Sequence, residues 1–557
     1  MNTNFPLDIT ALPFSRRGAK CMVFYEENGE KLGAENGLYL SQCVEGTLMG
    51  GAQFLRNKNY LLITPLREGE PVPYSYTATP SRITLTAAGG RVDMTFSPDG
   101  ALLISARSLS LRMTARFGFA DAAVSLGRCA QVDMDGATFY MVPEKGSIEV
   151  DSHYELESYR YSDPVIHIHP ENGEILLAIY EKSYRFEEDP VLETSFEASA
   201  GRLRDDFAAF ASVLPEPQTG MEHLVYSLWI GEKPLGEDLA YPSNPITATY
   251  PRAAEQPFLS LAFKDAARAA SILTSFKKHL TPRGLVPEYV LRNKKLYQTV
   301  SMDFGYAALE LLKKDGLSQQ DAAGVYDFLC AVDGWWTENR SSDGGVSFFY
   351  AYPFECGDPR SSVVLKGAPA TTPDLMTRMV LSAKALAAYA EKLGLEEAAA
   401  GWKDKAQKRQ KYLMDALWDG EKFVGRLPDG TVYESGSLLA CLPILLGEAL
   451  EKTVVSAITL KLIKRFLIPN RGHAAEAGAD TVDTALSALV AMGLWDAGEY
   501  DTARRVYEAM AVFARQHGVH AQYGAGPAPE KRCGALYPSA ACAALLTAWR
   551  KISQSEV

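Results

Sequence analysis

The stretch Thr372–Gly394, TPDLMTRMVLSAKALAAYAEKLG, carries the clearest local signal in the chain. Thr372 is placed to cap a helix, Pro373 suits its first position, and Asp374 complements the N-terminal dipole. Leu375, Met379, Ala383, Leu386, Ala390 and Leu393 then recur at spacings of three and four, and Gly394 stops the run. Similar segments follow one another from about residue 220, giving roughly eleven or twelve helices with alternately short and long connections. The long connections carry the aromatics, glycines and acids. A closed ring of paired helices with functional loops at one end fits this layout. The absence of a strict short repeat argues against a solenoid.

The first part of the chain has a different period. Leu109, Leu111, Met113, Ala115, Phe117 and Phe119 alternate with polar or small residues, as in a half-buried strand. Turn signals recur at Gly89-Gly90, Pro98-Asp99-Gly100, Asp135-Gly136 and Asn172-Gly173. Short strands joined by hairpins predict an antiparallel β-sandwich over residues 1–200. GRLRDDFAAFASVLP then places Leu203, Phe207, Phe210 and Leu214 on one helical face. Residues 201–220 are therefore expected to form a linker helix and linker, and 221–557 the helical domain.

Composition narrows the function classes. The 557 residues are 47% hydrophobic and 22% charged, an ordinary globular balance. The net charge of −12 argues against nucleic acid and anionic membranes, which select basic surfaces. No window of about eighteen apolar residues suggests a membrane span. MNTNFPLDITALPFSRRG lacks the basic region and apolar run of a secretion signal. Eight cysteines scattered without CxxC pairs are read as free thiols of a cytoplasmic protein.

No P-loop, dinucleotide fingerprint, GxSxG elbow or HExxH helix is present, and no cofactor is implied. His167 and His169 share one face of an apparent strand, but no third metal ligand lies near, so no metal site is expected. The loops WWTENRSSDGG (335–345) and FFYAYPFECGDPRSS (348–362) are more telling. Aromatic faces cover the apolar faces of sugar rings, while charged groups fork onto hydroxyls. Glycosidic cleavage usually takes one protonated and one ionised carboxyl group. Asp358 suits the protonated role if aromatics desolvate it; Gly-Asp-Pro is equally an ordinary turn.

Residues 250–362 resemble the six-hairpin glycosidases grouped around glycoside hydrolase family 63, mannosylglycerate hydrolase and trehalase. YPRAAEQPF (250–258) resembles their YPSWDQPF, and Arg283-Gly284-Leu285-Val286-Pro287 their G-x-x-P turn. Trp335–Gly344 resembles the W-x-x-x-R loop, and ECGDPRSS (355–362) the ESGWDNSPR segment that holds the general acid. Asp374-Leu375 resembles the following DLN. The similarity extends over most of residues 220–552. It implies an N-terminal antiparallel β-sandwich followed by a C-terminal (α/α)6 toroid. The implied activity is hydrolysis of an α-linked glucoside or related small glycoside with inversion, Asp358 being the acid.

The departures are as informative. Ala254-Glu255 replaces Trp-Asp, and NRGHAAE (470–476) stands where WRGPVW is usual, so two sugar-facing rings are missing. The general-base glutamate falls on Ala521 or Gln522, neither of which accepts a proton from water. Glu530 and Glu476 are the alternative bases. Phosphate, held by Arg471, His473, Lys531 and Arg532, is an alternative attacker that needs no base. A homologue that binds sugar without cleaving it is a third reading. Tyr250, Glu255, Gln256, Trp335, Trp336, Arg340, Phe354, Glu355, Arg360, Gln522 and Tyr523 are expected to shape the sugar site.

Overall fold

The computed structural model describes residues 2–27, 35–42, 44–47, 53–56, 59–134, 137–181, 194–235, 238–241, 251–290, 295–296, 303–357, 361–364, 366–468, 471–477, 481–524 and 532–553. For 44–47, 53–56, 59–60, 233–235, 238–240, 295–296, 523–524 and 532–536 the description is of backbone alone. The chain divides into two compact units, one built on Met1–Ser212 and the other on Val213–Leu228 with Tyr250–Val557.

The first unit is antiparallel β. One sheet runs Cys21–Glu26, Gly37–Gln42, Asn59–Arg67, Ser110–Thr114, Val165–His169, Ser147–Asp151 in spatial order. The other runs Ala122–Leu126, Cys129–Met134, Ala137–Lys145, Glu174–Tyr180, Leu102–Arg107, Gly90–Phe96, Arg82–Ala87, Tyr74–Thr79. Alternation places Leu111 and Met113 inward, both fully buried. It ends where the strand ends at Thr114: Phe117 is still buried, but Phe119 is 78% exposed. The helix α1 (Phe196–Ser212) begins earlier than its pattern suggested and buries Leu203, Phe207 and Phe210. It packs on the strand Gly90–Phe96.

The second unit is helical, with ten α-helices and most of an eleventh, α2, among its described residues. They are α2 (Glu222–Gly231), α3 (Gln256–Ala262), α4 (Ala266–Leu273), α5 (Phe304–Leu312), α6 (Gln319–Arg340) and α7 (Pro373–Lys392). There follow α8 (Glu396–Leu417), α9 (Lys452–Lys461), α10 (Thr484–Asp496), α11 (Tyr500–His517) and α12 (Ser539–Ser553). A 3-10 run over Leu438–Ala449, broken at Gly447, lies between α8 and α9. Six apolar elements pack in succession: α3 on α5, α5 on α7, α7 on the 3-10 run, that run on α10, α10 on α12, and α12 on α3. The helices α4, α6, α8 and α11 each pack beside one of these.

The helix α7 starts at Pro373 as its sequence predicts, with Gly394 at φ +73° beyond its end. Its cap differs from expectation. The Thr372 side chain makes no cap bond, and its hydroxyl is buried without a partner among the described residues. Asp374 is fully buried and accepts the Tyr350 hydroxyl at 2.7 Å, so it serves tertiary packing more than the dipole. The turn at Gly284 is equally constrained. With φ +87°, a Cβ there would lie 2.2 Å from the Ala331 carbonyl oxygen, so only glycine fits.

The aromatic stretch after α6 is held by a buried ion pair. Arg409 of α8 and Asp333 of α6 are 0% and 1% exposed, and meet at 2.6 and 2.9 Å through two parallel bonds. The same guanidinium donates to the Gly345 carbonyl at 2.8 Å and the Met379 carbonyl at 2.9 Å, and covers the Phe348 ring. One cation thus joins α6, α7, α8 and the loop. Removing it strands a buried carboxylate, so Arg409→Ala should cost about 3–5 kcal/mol in denaturant unfolding. Arg409→Met with Asp333→Leu should recover most of that loss, because no charge is left unpaired.

Candidate functional site

A cavity of about 560 Å³ opens within the second unit. Four carboxylate side chains line it: Glu255, Asp303, Glu476 and Asp483. Arg252 and Arg378 join them, with Cys356, Gly357, Ser361, Ala521 and Gln522 at its wall. Most of these residues come from ends of helices or the loops between them.

Two of the carboxylates are held by arginines. Arg378 of α7 is buried and meets Asp303 at 2.9 Å and Asp374 at 3.4 Å. Burial works against its charge, but Asp303, Tyr350 and Asp374 outweigh it and hold the guanidinium well above its ordinary pKa. Arg252 lies 3.8 Å from Glu255 and 2.9 Å from Glu288, with its guanidinium over the Tyr289 ring. Burial again opposes the charge, and Glu255, Tyr289 and Glu288 raise the pKa overall.

Glu476 has a different role. Its Oε1 accepts from the Ser361 hydroxyl and the Ser362 backbone N–H, both at 3.1 Å, and its Oε2 accepts from the Ser362 hydroxyl. Ser361 also reaches Ser437 at 2.8 Å, and Ser362 reaches Ser435 at 3.1 Å. Glu476 therefore fastens the segment that follows Gly357 to two neighbouring loops.

Asp483 ends the strand Thr481–Asp483 and caps α10, its Oδ1 accepting from the Leu486 N–H at 2.9 Å. It stands directly opposite Gln522 in the antiparallel pairing with His520–Gly524. The Gln522 amide donates to its Oδ2 at 3.3 Å. Asp483 was not among the residues expected from sequence. In VDTALSAL an aspartate before a helical run reads as a cap, and only strand pairing brings it to Gln522.

Of the expected residues, Glu255, Glu476 and Gln522 line the cavity. Several others are not among its described lining residues. Trp335 and Trp336 are 8% and 5% exposed, packed edge to face, and border a separate void of about 30 Å³. Both lie on the buried side of α6. Glu355 is fully buried against Arg340 (Nε to Oε1, 2.7 Å) and accepts the Ala351 N–H at 2.5 Å. Arg340 lies over the Trp335 ring, so this pair braces the loop and is not aimed at a ligand. Gln256 is 1% exposed and donates to the Arg252 carbonyl at 3.0 Å, which makes it a support for Arg252. Phe354 is 52% exposed and is not part of the cavity wall. Asp358, Arg360, Tyr250, Glu530 and Lys531 lie outside the described residues, and Tyr523 and Arg532 are described in backbone only.

His473, expected as an anion ligand, is a core residue. It is fully buried, neither ring nitrogen has a partner among the described residues, and burial lowers its pKa to about 3. Burial likewise lowers His223 to about 4. Both rings stay neutral when folded but protonate near pH 6.5 when unfolded. The unfolded chain then binds more protons, so stability should fall as the pH drops from 6.5 towards 4, by about 1.4 kcal/mol per unit for each ring. Melting temperatures across that range check this, and His473→Leu should flatten the slope.

Residues 258–487 match a family model described as a mannosylglycerate hydrolase MGH1-like glycoside hydrolase domain. No curated protein matches the chain significantly. Solved structures from Thermus thermophilus are similar in part. An uncharacterized conserved protein is 15% identical, covers 54% of this chain and 93% of its own, and has a TM-score of 0.47. A family-63 mannosylglycerate hydrolase in complex with glucose gives 17%, 54%, 93% and 0.46, and one with Tris and D-glycerate gives 15%, 60%, 99% and 0.48. At such identities and scores these likenesses decide neither fold nor activity. Through the match of residues 258–487, the chain is a glycosidase similar to those of glycoside hydrolase family 63.

Proposed function

We propose that this protein hydrolyses an α-linked glucoside or a related small glycoside with inversion, using Asp358 as general acid. The observation that carries the reading is the 560 Å³ cavity lined by four carboxylates and two arginines, with Cys356 and Gly357 in its wall directly before Asp358 in sequence. A space of that size accommodates one or two sugar units. Carboxylates and arginines supply both the hydroxyl recognition and the proton transfers that glycosidic cleavage needs.

The same reading takes the second unit as an (α/α)6 toroid and the first as a β-sandwich, the boundary falling near residues 201–220. The closed succession of α3, α5, α7, the 3-10 run, α10 and α12 supports the ring. The two antiparallel sheets of the first unit support the sandwich. The six described cysteines are free thiols, which supports a cytoplasmic setting. Among the described residues no helix is long and apolar enough to cross a membrane.

Within this mechanism Glu476 is a positioning residue. Its oxygens are engaged by Ser361 and Ser362, so it orients the acid loop. Phosphorolysis loses an expected anion ligand with the burial of His473.

The test is turnover of a panel of α- and β-aryl glycosides, with the product anomer followed by NMR. Asp358→Asn should lower kcat by about 10²–10⁴-fold on substrates with poor leaving groups. It should retain much more activity where the leaving group needs no proton. Full activity of Asp358→Asn on a poor leaving group, or a retained anomer, would sink the assignment.

A further inference from the structure

We propose that the first unit holds a binding site for the phosphate group of a small phosphomonoester, built from Arg16, Arg17 and Arg202 around a second cavity of about 270 Å³. All of its lining residues belong to that unit, and none is shared with the 560 Å³ cavity. The site is therefore independent of the hydrolysis reading.

The local sequence assembles it. Arg16-Arg17-Gly18-Ala19 makes a reverse turn, the Ala19 N–H donating to the Arg16 carbonyl at 3.3 Å. Gly18, at φ +78°, supplies the left-handed residue of that turn. Two guanidinium groups are thus brought together at the cavity. Arg202 arrives from α1. Its neighbour Leu203 is buried, and α1 packs on Gly90–Phe96, the strand that leads into Ser97 and Pro98 of the same wall.

Arg16 is the anchor. Its Nη1 donates to the carbonyls of Ser97 at 2.7 Å and Pro98 at 3.0 Å, and its Nε to the Arg17 carbonyl at 3.2 Å. These neutral acceptors fix the plane of the guanidinium without offsetting its charge. Nη2 makes no hydrogen bond among the described residues. Burial holds the Arg16 pKa below its ordinary value, outweighing Asp206, Glu181 and Asp99, which pull it upward. Each of those carboxylates is engaged elsewhere. Asp206 pairs with Arg17 and accepts the Trp229 indole N–H at 2.9 Å, Asp99 accepts the Ser97 hydroxyl, and Glu181 accepts the Lys20 N–H at 3.1 Å.

The other two arginines differ. Arg17 spans Asp206 and Glu232, the latter at 3.4 Å. Arg202 is exposed and forms no hydrogen bond or ion pair among the described residues. Three cations and one carboxylate therefore line the cavity, in a chain whose net charge is −12. A tetrahedral phosphate, with several acceptor oxygens and up to two charges, takes N–H groups from three guanidiniums at once, whereas a planar carboxylate matches a single fork. The fixed Arg16 lowers the ordering cost of binding. The cavity exceeds one phosphate group, which leaves room for the organic part of a phosphomonoester.

The experiment is calorimetric titration of the full-length protein at constant ionic strength. The probes are inorganic phosphate, glycerol phosphate, glycerol and acetate. The wild type should bind both phosphates, the ester more tightly, and should bind glycerol and acetate at least 10-fold less well. Arg202→Ala removes a side chain with no partner among the described residues, so its melting temperature without phosphate should match wild type. It should weaken both phosphates about 10-fold, the loss of one charge-assisted contact. Arg202→Glu should abolish their binding. Arg204→Glu makes the same charge change two residues along α1, outside the cavity, and should keep wild-type affinity. A wild type that binds neither phosphate overturns the proposal, as does acetate or glycerol binding as tightly as the ester. Wild-type phosphate affinity in Arg202→Glu also overturns it, since the anion then sits elsewhere. An equal loss in Arg204→Glu does the same, since it marks general charge attraction.

Discussion

The buried guanidinium of Arg378 is the point on which the second unit turns. It lies between Asp303, at the start of α5, and Asp374, one turn back on its own helix, with the Tyr350 hydroxyl completing the group. A lone charge in such a place would be prohibitively desolvated, so the two carboxylates and the arginine fix one another's positions. Tyr350 brings the aromatic loop into the same group, and Arg378 and Asp303 also form part of the cavity wall. Polar chemistry therefore reaches the cavity without a break from the core.

The chain's organisation was readable where one period dominates. The α7 pattern and the hairpins of the first unit follow from side-chain spacing alone, because burial of one face leaves few alternatives. The boundaries of that logic are specific. Thr372 resembles a cap but serves none, since Asp374 is drawn inward by Tyr350 and Arg378. Phe119 continues an alternation that the strand has already abandoned. Trp335 and Trp336 have the composition of a sugar platform, yet on a 22-residue helix their spacing sends them into packing.

The site was legible in its parts and not in its pairing. Glu255, Glu476 and Gln522 were found from motif order, and all three line the cavity. The pairing of Asp483 with Gln522 was not readable, because it lies in a strand register that joins residues thirty-nine positions apart. Glu476 was visible as a carboxylate in a conspicuous loop, but its three contacts with Ser361 and Ser362 were not. Residue type proposes chemistry, but hydrogen-bond occupancy decides whether a group is available for it.

The burial of the tryptophans has an optical consequence. The chain has seven, and none is among the described lining residues of the cavity. Trp335 and Trp336 sit behind it, shielded from solvent and flanked by the Arg340–Glu355 brace. Their emission is thus a built-in gauge of whether the helices around the cavity remain assembled. It is a poor gauge of what occupies that cavity, because a sugar entering would meet Phe258 as the one aromatic side chain among the described lining residues.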